Sequence, residues 1–183
     1  MAVPNETPYS IADKMLWALL EDETVPEVQD LVAWRKLRRQ DGKMGTNIKA
    51  GEKQKVPATN KRPSLSFSYI DPTETPDLLQ GYAATVRVHT ITINGYLTIP
   101  PHLENEGNDL VRMYQYLVER AIGARLRFLT APNSPYVPAG EENPITDVQP
   151  GEIVWPDFSV PEEEPMFLWP IYFLLDLGPL WKP

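Results

Sequence analysis

Proline restricts the fold of this chain more than any other residue, because it occupies 20 of the 183 positions. Each proline fixes its backbone φ angle and lacks an N–H donor, so it disrupts helix interiors and central strands. Tracts in which prolines recur, above all 130–165, are therefore predicted to run as loops or extended segments. With 42% hydrophobic residues, the chain can still build one sizeable core. We predict a single domain over residues 1–183.

Three helices are predicted. The first begins after Thr7, with Pro8 at its first position, where a proline is well tolerated. The second follows Thr24, which has the capping-box spacing to Glu27. The third and longest covers 108–127, where apolar residues recur at helical spacing. The residues predicted to form the buried face of the second helix are Val28, Leu31, Val32 and Leu37.

Strands are predicted in the middle of the chain and close to its end. Alternation of apolar and polar residues indicates strands at 64–69 and 81–93. Asn94-Gly95 is typical of a type I′ turn, so the chain is predicted to reverse there into a short strand over 96–99. The stretch 166–177 is dense in β-forming residues and predicts a last strand.

Pro170 favours an edge position for this last strand, and a neighbouring subunit would then cover the edge. Together the elements predict an α+β domain. Its small antiparallel or mixed sheet would be packed by the N-terminal helix and the one long amphipathic helix. A long basic loop at 40–61 and a Pro-rich, acidic extended segment at 130–165 complete the prediction.

The net charge of −8 is unevenly distributed. Ten lysines and arginines lie within 35–62 against two acidic residues, whereas 128–181 holds nine carboxylates and no basic residue. Such asymmetry points to partners of opposite charge, either nucleic acid or another copy of the chain.

The charged segments and the aromatic C-terminal strand are predicted to make the partner contacts. The basic candidates are Arg35, Lys36, Arg38, Arg39, Lys43, Lys49, Lys53 and Lys55. The acidic and aromatic candidates are Glu162, Glu163, Glu164 and Trp169. Three interpretations of the basic loop stay open: a solvated loop, docking onto an acidic protein surface, or binding to nucleic-acid phosphates. The loop lacks aromatic residues that would stack on bases, which weighs against the last.

The sequence offers little for catalysis. It has no cysteine, and neither His89 nor His102 has sequence neighbours that suggest a triad or a metal cluster. No glycine-rich phosphate loop follows a strand, and the acidic clusters lie in proline-rich tracts without fixed geometry. We therefore predict no enzymatic activity, no cofactor and no metal. An enzyme of unrecognised type, built around either histidine, is the alternative.

The chain gives no indication of a membrane. Its start lacks a basic region followed by an apolar one, so no signal peptide is predicted. The most apolar stretch, 166–177, is too short to span a bilayer. We therefore predict that the protein is made and assembled in a cytoplasm.

The order of these elements resembles the tail terminator, or tail-completion, proteins of tailed bacteriophages. The resemblance covers about 8–127 and the last strand. It begins with a leading helix and a strand after Lys61-Arg62-Pro63, followed by a long strand with the Asn94-Gly95 hairpin. A single amphipathic helix and a late strand complete it. It implies a homo-oligomeric ring, typically a hexamer, that caps the tail tube. The implied partners are the tube protein, the sheath protein and the head–neck connector, with DNA only as passing cargo. The implied location is the tail or neck of the virion.

This family has no catalytic residues to carry over. The chain departs from a compact terminator in its basic loop at 40–61 and its acidic segment at 130–165. These additions are either arms between subunits or the mark of a different neck or baseplate structural protein. Two further alternatives stay open, a partner-binding adaptor outside phages and a nucleic-acid-binding protein.

Overall fold

The structure, a computed structural model, describes residues 6–39, 47–48, 59–69, 86–99, 101–154 and 166–177. Its helices are α1 (Pro8–Leu20), α2 (Pro26–Arg38), α3 (Gly107–Gly123) and α4 (Leu126–Leu129). Short 3-10 turns occupy Thr59–Lys61 and Pro101–Glu106. The strands are β1 (Asn47–Ile48), β2 (Ser64–Tyr69), β3 (Val86–Tyr96), β4 (Ile145–Pro150) and β5 (Phe167–Asp176).

These strands form one mixed sheet in the order β1-β2-β3-β5-β4. The β2–β3, β3–β5 and β5–β4 pairs are antiparallel, and only the two-residue β1 runs parallel to its neighbour. The predicted α+β class is thus confirmed. Most of the predicted basic loop 40–61 lies outside the described residues, as do positions 155–165 of the predicted acidic segment.

The core lies between one face of the sheet and the helices. Apolar side chains of β2, β3 and β5 point to this side, and Phe67 stacks on Trp17 of α1 with 4.0 Å between ring centroids. His89 of β3 meets Asp13 of α1 on the same side, with 3.2 Å between Nε2 and Oδ1. The fully buried apolar residues of this sheet face include Phe67, Ile91, Ile93, Phe167, Ile171 and Phe173.

The start of α1 confirms the predicted cap. Thr7 is the N-cap, Pro8 is the first helical residue, and the Thr7 hydroxyl accepts a bond of 3.2 Å from the N–H of Ser10. The Ser10 hydroxyl in turn accepts a bond of 3.0 Å from the N–H of Thr7. Two N–H groups that the helix leaves unpaired are satisfied by this exchange.

Replacing Thr7 by alanine is expected to lower the free energy of unfolding by about 1 kcal/mol, because the helix loses this cap. Thr24→Ala is the matched control, since the Thr24 hydroxyl donates to the Asp22 carboxylate and caps no helix. Urea denaturation of both variants measures the difference. An equal loss at the two positions would contradict the assigned cap.

Two predictions for α2 are wrong. Its N-cap is Val25 without a side-chain cap, so Thr24 and Glu27 form no capping box. Leu37, predicted to be buried, is 77% exposed. The buried face of α2 is completed by Arg35, and at 100° per residue Leu37 lies about 200° around the helix from it.

The predicted hairpin at Asn94-Gly95 is also wrong, because β3 runs straight through both residues. Gly95 pairs with Leu65 on one side and with Phe167 on the other. A Cβ atom at Gly95 would lie 2.1 Å from the Phe167 ring, so the glycine makes room for an aromatic side chain. The Asn94 amide donates to the hydroxyl of Ser66 at 3.0 Å and stabilises the strand pair.

The last strand is present where predicted, but its predicted edge position is wrong. β5 lies between β3 and β4, and β4 was predicted only as part of an extended segment. The Pro170 carbonyl accepts from the N–H of Gly151 at 2.8 Å, just after β4 ends at Pro150. In an antiparallel strand, the N–H and C=O of one residue point toward the same neighbouring strand. The N–H that Pro170 lacks would therefore also point toward β4. The proline therefore falls where the ladder with β4 has already ended.

The long amphipathic helix is shorter than predicted. α3 ends at Gly123, and the chain bends through Ala124 and Arg125 into the single turn of α4. Its buried stripe agrees with the prediction, and Tyr114 at its centre is fully buried. Within the described ranges, no helix is both long enough and apolar enough to cross a membrane.

Candidate functional site

A ladder of aromatic rings leads from the sheet to the molecular surface. The Phe167 ring, which covers Gly95, meets Tyr114 of α3 edge to face, with 5.5 Å between centroids. Tyr114 stacks on Trp34 of α2 at 5.2 Å and 18°. The guanidinium of Arg38 lies 5.4 Å above the Trp34 ring, as in a cation–π contact. The sheet thus fixes the position of α2 through two intervening rings.

Tyr114 anchors this ladder. Its hydroxyl donates to the main-chain carbonyl of Ser64 at the start of β2, over 2.8 Å. Burial raises the pKa of the Tyr114 phenol to about 12. The phenol therefore stays neutral at physiological pH and remains a hydrogen-bond donor.

The outer surface of α2 and α3 exposes apolar side chains. Of the four large hydrophobic residues exposed in the described part of the chain, three lie on this helix pair. They are Leu37 at 77% exposure, Met113 at 47% and Tyr116 at 52%. We call the surface formed by these three residues with Trp34 and Arg38 the α2–α3 face.

A groove of about 460 Å³ opens within this face, between the end of α2 and the start of α3. Its apolar lining comes from Trp34, Leu110 and Met113. Arg38 lines it together with Glu106 and Asp109, yet none of the ion pairs seen among the described residues joins Arg38 to either carboxylate. The groove thus combines an apolar floor with charged groups that a partner can engage.

The other end of the face carries one exposed ion pair. Arg120 of α3 lies 3.5 Å from Asp30 of α2, and its guanidinium also lies 5.6 Å from the centroid of Tyr116. Exposed ion pairs stabilise a fold by less than about 1 kcal/mol, so this one mainly orients the side chains. The contact between Asp30 and Arg120 is consistent with the antiparallel course of α2 and α3.

The predicted contact residues divide into three groups. Lys36 and Arg38 are exposed on α2 and Arg39 is half-buried directly after it. Lys43, Lys49, Lys53 and Lys55 lie outside the described residues, as do Glu162, Glu163 and Glu164. Arg35 and Trp169 are described, but they are buried.

Arg35 and Trp169 therefore serve the interior, contrary to the prediction that they face a partner. Arg35 is 2% exposed and donates to the carbonyl of Pro63 at 3.3 Å, which ties α2 to the start of β2. Trp169 is 7% exposed and donates through its indole N–H to the carbonyl of Gly151 at 3.1 Å. A basic helix end and an aromatic strand do not by themselves reveal which side chain turns inward.

The one histidine in the core makes a structural contact. His89 and Asp13 are both buried, and Tyr9 meets the imidazole edge to face at 5.0 Å. This arrangement links α1 to β3, as the sequence-based interpretation of a structural histidine predicts. His102 is exposed in a 3-10 turn. In the part of the chain that the structure describes, no group of three or more acidic residues or histidines could hold a metal ion.

Comparison with known proteins leaves the family open. No protein-family model matches the chain, and no curated protein or solved structure is significantly similar to it. Any assignment must therefore rest on the surface geometry and on the predicted resemblance.

Sequence reasoning missed Met113 and Tyr116 as surface residues of the site. A signal was present, because Asp109, Met113, Tyr116 and Arg120 follow one another at helical spacing on the side opposite the buried stripe. A methionine and a tyrosine on the polar side of an amphipathic helix indicate a contact surface, since both residue types are enriched in interfaces.

Proposed function

We propose that this protein is a structural subunit that assembles with copies of itself through the α2–α3 face. The observation that carries the proposal is the concentration of exposed apolar side chains on that one helix pair. Exposed apolar patches on a folded domain mark interaction sites, and methionine, aromatic residues and arginine are the types enriched there. The α2–α3 face contains all three.

The proposed assembly is the ring that terminates a phage tail tube and joins the tail to the head or neck. Its support is the resemblance in element order, and the α+β class agrees with it. The predicted Asn94-Gly95 hairpin does not support the resemblance, because β3 runs through both residues. The support comes from α1, β2, β3, α3 and the late strand β5. The partners in this proposal are further copies, the tube and sheath proteins and the head–neck connector, with DNA passing through the channel.

The alternatives use the same surface with another occupant. A neck or baseplate protein would also assemble with itself, whereas a non-phage adaptor would present the α2–α3 face to a different protein. Self-association of the pure protein therefore separates the adaptor from the virion subunits.

Replacing Leu37 and Met113 together by glutamine is expected to weaken self-association about ten-fold or more, because both apolar side chains lose their burial in the assembly. Sedimentation velocity over a concentration series measures the change. The melting temperature should stay nearly constant, since exposed substitutions rarely alter stability by more than about 0.5 kcal/mol.

Arg112→Gln provides the control, because Arg112 is exposed on the same helix but does not line the groove. This variant should assemble as the wild type does. Undiminished association of the Leu37/Met113 variant would contradict the proposed role of the face.

A further inference from the structure

The far edge of the sheet carries charge opposite to that of the last turn of α2. Exposed or half-buried carboxylates surround β4, and the sequence has no basic residue between Arg127 and Lys182. We call this surface the acidic edge, formed by Glu141, Glu142, Asp147, Glu152 and Asp176. The exposed end of α2, by contrast, presents Lys36 and Arg38 beside Leu37, followed by Arg39.

These two surfaces lie near different strands of the sheet. Arg35 fixes α2 next to the start of β2, and β3 and β5 separate β2 from β4. Three strand spacings of about 4.8 Å put the two strands roughly 14 Å apart. In the helix layer, α3 contacts both α2 and α4, and α4 contacts β4. The order of helices therefore follows the order of strands from one side of the molecule to the other.

The acidic edge is unsuited to pairing with another strand. β4 has a register shift between Ile145 and Asp147, an exposed carboxylate at Asp147 and a proline at its end. The N–H of Val148 is already donated to the Asp147 carboxylate at 2.9 Å. Irregularity, charge and proline are the features that prevent edge-to-edge pairing of sheets. A partner must therefore approach this edge through side chains.

We infer that the exposed end of α2 in one copy docks onto the acidic edge of the next copy, with Lys36 and Arg38 meeting its carboxylates. This inference rests on the proposed function and names the two surfaces that form the contact. Two different complementary surfaces of one chain associate head to tail, and such contacts close into rings when the rotation allows it. Charge complementarity selects the orientation, while the exposed side chain of Leu37 supplies apolar burial.

The test uses two charge-reversed variants of the full chain, Lys36→Glu with Arg38→Glu, and Glu141→Lys with Glu142→Lys and Glu152→Lys. The second variant leaves only Asp147 and Asp176 of the acidic edge, so its net charge there becomes positive. Each variant alone is expected to associate about ten-fold more weakly or worse, because like charges then face each other. An equimolar mixture is expected to recover the wild-type assembly, because every contact in an alternating ring again joins opposite charges. Native mass spectrometry at low salt identifies the mixed species.

Each result decides the matter. Recovery in the mixture, with Arg112→Glu assembling normally as the control, supports the inference. Wild-type-like assembly of either reversed variant overturns the inference and leaves the proposed function standing. Unchanged assembly with reduced retention of DNA by the Lys36/Arg38 variant assigns the basic surface to nucleic acid and also overturns it. A wild-type protein that never associates contradicts the proposed function itself.

Discussion

Gly95→Ala is expected to lower the free energy of unfolding by about 3 kcal/mol, at the upper end of what overpacking costs. The new methyl group would lie 2.1 Å from one carbon of the Phe167 ring and 2.3 Å from another. That ring is fully buried and held edge to face against Tyr114, so it cannot swing aside. The strain would pass directly into the aromatic ladder that positions α2.

Gly123→Ala is the matched control for this substitution. Gly123 ends α3, and nothing lies within 4 Å of a Cβ atom placed there. Alanine should be neutral or slightly stabilising at that position, because it reduces the freedom of the unfolded chain. Urea denaturation of both variants gives the comparison. A small, equal effect at the two sites would contradict the close packing of the Phe167 ring on Gly95.

Tyr114→Ala is expected to have the second large effect, a loss of about 4 kcal/mol. The substitution removes a fully buried ring that contacts Trp34 and Phe167, together with the hydrogen bond to Ser64. The apolar groove would lose its support, so self-association should fall as well. Tyr114→Phe keeps the ring and should cost only about 1 kcal/mol at neutral pH, the usual contribution of one hydrogen bond.

The wild type and the Tyr114→Phe variant also give a test that depends on pH. Burial raises the pKa of Tyr114 from 10.0 to about 12 in the folded state. Between these values the unfolded chain loses the phenolic proton while the folded chain keeps it, so the stability of the wild type falls as the pH rises. The advantage of the wild type over Tyr114→Phe should therefore shrink by about 1.4 kcal/mol per pH unit above pH 10. A constant difference from pH 8 to pH 11 would contradict the buried, neutral phenol.

Capping residues, apolar periodicity and β propensity correctly predicted those elements that are determined by residues close together in the sequence. The Thr7-Pro8 start of α1 was predictable because cap and proline act within one turn. The apolar stripe of α3 and the β-forming residues of the last strand were predictable for the same reason, since periodicity and propensity are local properties.

The wrong predictions share a different cause, because tertiary packing overrides the local signal at each position. Asn94-Gly95 has turn chemistry, but Phe167, seventy-two positions further on, takes the space that the glycine leaves. Pro170 indicates an edge strand, yet it lies just beyond the end of the β4–β5 ladder. No N–H of Pro170 is therefore needed to pair with β4. β4 itself has few apolar residues and pairs through its backbone, so neither composition nor periodicity revealed it.

The sequence predicted the exposed basic residues of the candidate site but not the groove beside them. Lys36 and Arg38 are exposed as expected, whereas Arg35, their neighbour on α2, turns inward to Pro63. The groove depends on how α2 packs against α3, and that packing depends on the stacked rings of Trp34 and Tyr114. Such a contact between residues eighty positions apart has no signature in either local sequence.

The most direct test of self-assembly is the mass of the purified wild-type protein in solution, measured by native mass spectrometry at low and moderate salt. We predict a closed oligomer at low salt whose population falls as salt rises, because screening weakens exposed contacts between opposite charges. A monomer at every concentration and at both salt levels would contradict the assignment of this protein as a self-assembling structural subunit.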